Sequence, residues 1–235
     1  ASYSEFSSLA QTLSDATNEL ASEPSAAHNA AARAAWRAAI ASWQRAEPLS
    51  FGPAASTMSP GGQALRDQIY IFPLANPCLV DQGIVNRSYE GASFGSTLGS
   101  ARGLSAVEYL LFFGGGNNAC NALSSINSNG SWAALSANEL RARRAGYAKA
   151  AAADVRLRAS SLQAAWSPDA GNFYASFVGA GSGSAVFKSN QDAFNVVSDA
   201  LFYIEQELKD WKLGWPLGLV ADCVNAPKNC PNDVE

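Results

Sequence analysis

The chain has 235 residues, 48% hydrophobic and 15% charged, so it can build a sizeable core and is not a disordered tail. A net charge of −4, with 16 Lys and Arg and no long basic run, excludes a nucleic-acid-binding footprint. No apolar run reaches the ~18 residues that a membrane-spanning helix requires.

In chain order the pattern predicts helices almost throughout. Phe6, Leu9, Leu13, Ala16 and Leu20 recur at spacings of three and four and form one apolar stripe, which Pro24 ends. An Ala-rich segment follows, with Ala32, Trp36, Ile40 and Trp43 on one face up to Pro48. Alanine has the highest helix propensity, so this stretch needs little tertiary help. Ser59–Phe72 reads as a shorter helix with Pro60 in its first turn. Residues 73–102 are interrupted by Pro73, Pro77 and several glycines, leaving room for a short helix near 80–90. Gly103 to Phe113 reads as a helix, stopped by Gly114-Gly115-Gly116, and 117–135 as a polar Asn/Ser loop.

Ser136 and Glu139 form an S-x-x-E capping box that opens a long helix. Tyr147, Ala151, Val155, Ala159, Leu162 and Trp166 supply its buried stripe, Arg141, Arg143 and Arg144 read as a solvated face, and Pro168 stops it. A short helix near 169–178 precedes a Gly/Ser connection, 179–184. Phe194, Val197, Leu201, Ile204, Leu208 and Trp211 mark a last helix, expected as the seam of an antiparallel bundle. Trp215, beside Pro216, is the tryptophan expected at a surface or groove. Period-two alternation is almost absent. The expected fold class is therefore all-α, two packed antiparallel helical bundles, with a boundary between sub-bundles near 114–135.

The four cysteines contain no C-x-x-C pair and the single histidine is His28, so they do not form a zinc signature. Three pairings are open. Cys223 and Cys230 lie in a Pro- and Asn-rich tail with little else to order it, so the expected bridges are Cys223–Cys230 and Cys78–Cys120. Such bridges point to an oxidising compartment such as a bacterial periplasm; four free thiols in the cytosol are the alternative. The chain begins Ala1-Ser2 without Met, the expectation for a protein whose signal peptide has been removed.

On the helix at 103–113, Ser105, Glu108 and Phe112 share one face, and the rest of the surface is apolar. A buried Glu there costs several kcal/mol unless it is paired or hydrogen-bonded. It is either satisfied by an Arg, Tyr or Trp of a neighbouring helix, or it belongs to a polar pocket for a ligand or metal.

Gly103-Leu104-Ser105-Ala106-Val107-Glu108 resembles the G-x-H-x-x-E motif of imelysin-like proteins, with Ser105 in place of the motif His. Other landmarks agree in order: Trp36, Trp43 and Glu47, then Phe51-Gly52-Pro53; Ile69 to Pro73, with Phe72 where Trp is usual; Arg144 to Trp166; and Lys212-Leu213 with Pro216-Leu217-Gly218. The resemblance implies a periplasmic or lipid-anchored envelope protein of two packed helical bundles, with the motif near their junction. It also implies an association with iron uptake and a class of metallopeptidases named for insulin cleavage. Some relatives bind metals or acidic polysaccharide.

By this resemblance the ligand-binding residues are Gly103, Ser105 and Glu108, with Glu47 and Asp81 as further pocket carboxylates. Zinc hydrolysis requires nitrogen, sulfur or carboxylate ligands around an open position, and Ser105 is a weak ligand. Carboxylates alone suit a hard cation better than zinc. No His base accompanies Ser105, so no catalytic residue is expected. The expected role is an envelope binding or accessory protein linked to iron or metal acquisition. Its partners are a small ligand or metal and iron-uptake membrane components, and its cofactor at most a weakly held divalent metal bound by Glu108. The alternatives are a metal-dependent peptidase and a metal-free binder of an acidic sugar or peptide.

Overall fold

The computed structural model describes residues 2–215 and 217–219. Among these residues the regular structure is helical throughout, with no strand. The α-helices are α1 (Ser2–Ser22), α2 (Ala26–Ala46), α3 (Leu65–Ile69), α4 (Pro77–Asn86), α5 (Gly103–Phe112), α6 (Ser125–Ser128), α7 (Ala137–Trp166), α8 (Phe173–Val178) and α9 (Asn190–Tyr203). A π-helical segment, Ile204–Gly214, continues α9.

Local chemistry sets most of these bounds. Ser25 caps α2 by accepting from the His28 N–H. The Ser136/Glu139 capping box at the start of α7 is formed in both directions, satisfying two amides that the helix cannot pair itself. Asn76 caps α4, with Pro77 in its first turn.

The main core is the packing of α1, α2, α5 and α7. α1 contributes Phe6, Ala10, Leu13 and Leu20, and α2 contributes Ala32, Trp36, Ala39, Ile40 and Trp43. α7 presents mostly alanines to them (Ala148, Ala151, Ala152, Ala159), which lets the backbones approach closely around Tyr147, Val155 and Leu162. Several buried polar groups tie the elements together. Trp36 Nε1 donates to the Leu104 carbonyl at 2.9 Å, tying α2 to α5. Tyr147 donates its hydroxyl to Ala101 O at 2.7 Å, and Arg102 pairs with Asp154 at 2.7 Å. A smaller cluster of Phe173, Ala180, Phe187 and Ala193 packs beyond the end of α7. Trp166 joins the two, with ring centroids 5.3 Å from Phe51 and 4.9 Å from Phe173.

Three expectations are corrected. The helix expected over 59–72 is only Leu65–Ile69. Gly62 lies so close to Ser56 O that a side chain there would overlap it, and Ala64 adopts a left-handed φ of 52°, so 56–64 folds as turns. The stripe of the last helix is not a buried seam: Phe194 is 69% exposed, Leu201 47% and Ile204 43%. α9 instead packs through Ala193 and Val196, and against the turn at Glu47–Leu49. The arginines at the start of α7 do not form a solvated face. Arg141 is exposed, but Arg143 is half-buried and Arg144 buried, because Arg143 donates to the carbonyls of Ile84 and Val85 and Arg144 to those of Gly115 and Asn117.

Cys78 and Cys120 form a disulfide that ties the start of α4 to the loop after α5. The expected Cys223–Cys230 bridge lies outside the described residues. No helix among the described residues is long and apolar enough to cross a membrane.

Candidate functional site

Four of the landmarks quoted above converge. α2 runs into a tight turn at Pro48, which leaves the Glu47 side chain with no solvent exposure. Lys212, from the π-helical segment, places Nζ 2.7 Å from Glu47 Oε2. Arg66, from α3, places Nε 3.5 Å from Glu47 Oε1, a charge contact beyond good hydrogen-bond geometry. Arg66 also pairs with Glu207 and lies 3.4 Å from Asp67. Lys212 donates to the Tyr203 hydroxyl at 2.5 Å, and its Nζ lies 5.0, 5.4 and 5.2 Å from the ring centroids of Tyr70, Phe72 and Tyr203. The ammonium thus sits among three rings with one carboxylate partner.

The motif reaches this cluster through Tyr70. Gly103 opens α5 with a φ of +77° and brings its backbone so close to Ile69 O that a Cβ would stand 2.7 Å from it. The segment carrying Tyr70 is thereby held against the start of α5. Ser105 is buried; Glu108, one turn on, is half-buried and not fully enclosed as its apolar helix suggests. Burial raises the Tyr70 hydroxyl far above its usual range, and the charges of Glu108 and Glu47 raise it further. Burial likewise raises Tyr203, reinforced by Glu47. Burial lowers Lys212, with Glu47 opposing that shift.

Asp81 is engaged elsewhere. It is fully buried on α4 and accepts from the Tyr109 hydroxyl at 2.8 Å and the Ala119 N–H at 2.7 Å, beside the disulfide. His28 belongs to the cap of α2.

The donor set can be tested against the zinc that metallopeptidase chemistry requires. The motif position holds Ser105, Glu47 is already neutralised by Lys212 and Arg66, and no histidine is at hand. Among the described residues no three His, Cys, Asp or Glu side chains group so as to hold a metal ion. These residues do not fit a zinc site. They form a network of fixed charges of both signs, centred on Glu47.

Sequence reasoning missed Arg66, Tyr70, Tyr203 and Glu207, and noted Lys212 only as a landmark. Arg66 carried one available signal, a lone cation in a segment otherwise short of charge, but nothing in it names a partner 141 positions away.

A family model described as Imelysin matches residues 1–232. Among curated proteins and among solved structures, none matches the chain. With the family model covering nearly the whole chain and the all-α fold in agreement, the chain belongs to the imelysin family.

Proposed function

We propose that this imelysin-family chain is a binding or accessory protein of the cell envelope, linked to iron or metal acquisition, and that it cleaves no peptide. The observation that carries the reading is the ion pair between Glu47 and Lys212. A carboxylate held by an ammonium and a guanidinium is not offered to a metal, and Ser105 replaces the one imidazole the motif would supply. The pocket we assign for a small ligand is built on Gly103, Ser105, Glu108 and Glu47, and the charges of both acids act on the Tyr70 hydroxyl. The Cys78–Cys120 disulfide favours an oxidising compartment. The link to iron rests on family membership.

Protein purified without chelator and dialysed should retain less than one equivalent of metal and leave insulin-like substrates intact. Cleavage that is abolished both by chelation and by Glu108→Gln would establish the peptidase reading instead. Deletion of the gene in its host should lower iron content under iron limitation; unchanged iron content would remove the acquisition link.

A further inference from the structure

The geometry points to a second ligand site, distinct from the pocket around Glu47, for a small amphipathic organic anion: a carboxylate on an apolar body. A groove of about 1210 Å³ opens where α2, the C-terminal end of α5, residues 114–116 and the start of α7 meet. Its apolar wall includes Leu20, Leu110, Trp132 and Leu140, all buried. Its charge comes from Arg33, Arg37, Arg141 and Arg144, and no residue lining it carries a carboxylate.

Two of these arginines have a structural task. Arg33 donates Nε to Leu111 O at 2.8 Å, and Arg144 donates to Gly115 O at 2.7 Å and Asn117 O at 3.1 Å. Arg33 thereby caps a carbonyl of the last turn of α5, where cations are favoured, and Arg144 satisfies two carbonyls of the loop that follows. Capping satisfies the donors but does not neutralise the charge. Arg144 is buried with its Nε unpartnered, and Asp81, an acid whose carboxyl its charge lowers, is held by Tyr109 and Ala119.

Arg37 and Arg141 have no capping task at α5. Arg37 stands 4.9 Å above the Phe112 ring and Arg141 bonds Asn138. Among the described residues none of the four arginines takes part in a salt bridge, although the chain as a whole is acidic, with a net charge of −4. Concentrated positive charge over a buried apolar floor is complementary to an anionic head with an apolar tail, and it repels the cationic equivalent. The inference does not depend on the role of the motif pocket.

Decanoate is the probe, titrated by calorimetry and by tryptophan fluorescence, which Trp132 reports. It should bind saturably, one to one, and more weakly as salt rises. Decyltrimethylammonium, with the same tail and the opposite charge, should not bind. Inorganic phosphate, a head without a tail, should bind at least about tenfold more weakly than decanoate. The double variant Arg37→Glu/Arg141→Glu changes only exposed side chains and should weaken decanoate by about tenfold or more. Arg45→Glu, on the same helix outside the groove, should leave the affinity unchanged. Circular dichroism of each variant checks the fold. Absence of decanoate binding, equal binding of the two amphiphiles, phosphate binding as tight as decanoate, or an unchanged affinity in the folded double variant would each overturn the proposal.

Discussion

Lys212 Nζ lies 2.7 Å from Glu47 Oε2, joining side chains 165 positions apart, and the Glu47 side chain has no solvent exposure. Removing one member of such a pair leaves a buried charge short of a partner, and the usual cost is about 3–5 kcal/mol. Lys212→Met should fall near the low end, about 3 kcal/mol, because Arg66 still faces Oε1. Adding Glu47→Gln should recover part of that loss. Urea unfolding of both single variants and the double variant measures the coupling, and strictly additive losses would show the pair to be energetically idle.

Stability should carry a pH signature from Asp81. Burial raises its carboxyl above the ordinary 3.8, while the Ala119 N–H, the Tyr109 hydroxyl and the Arg144 charge pull the other way. The folded state therefore holds the proton more tightly than the unfolded state. Its stabilising contribution is greatest at low pH and is lost as pH rises from the ordinary value through the raised one. Asp81→Asn removes that dependence. In urea titrations across this range the wild type should gain on the variant as pH falls; a constant difference would contradict the assignment.

The Cys78–Cys120 bridge closes a loop of 42 positions and holds the segment that supplies Ala119 N–H to Asp81. Loop closure of that length stabilises by about 3–4 kcal/mol. Cys78→Ser/Cys120→Ser should lose about this amount by urea unfolding, and a non-reducing peptide map of the wild type should contain the pair. Recovery of both thiols in protein secreted to the periplasm would argue against an envelope location.

Ser105→His should restore an imidazole one helical turn before Glu108 and create divalent-metal binding that the parent lacks. Calorimetry with zinc and with ferrous iron compares the two. Equal, negligible heats would mean that position 105 faces no cavity of metal size, and Glu108 would then serve the fold.

At the start of α7, Ser136 accepts from the Glu139 N–H while Glu139 accepts from the Ser136 N–H. Ser136→Ala should cost about 1 kcal/mol in urea unfolding, the usual loss for an N-cap of this type. A loss below a few tenths would show the box to be redundant with the packing of α7.

What the sequence determined was local. Apolar residues three and four apart, the Ser136 capping box and the three glycines after Phe113 act through neighbours along the chain. They were therefore enough to place α1, α2, α5 and α7 and the all-α class. The landmarks Glu47 and Lys212 were visible as residues of one family pattern, but not as neighbours. Only the tertiary structure decided what each helix face meets. The stripe on α9 has helical spacing, yet Phe194 and Leu201 stay exposed because spacing defines a face and says nothing of what covers it. Arg144 reads as surface by its charge, yet it is buried because the carbonyls of Gly115 and Asn117 fold over it. Glu47 met Lys212 and Arg66 for the same reason: an ion pair between distant positions depends on how the chain returns on itself, and no interaction along the chain encodes that return.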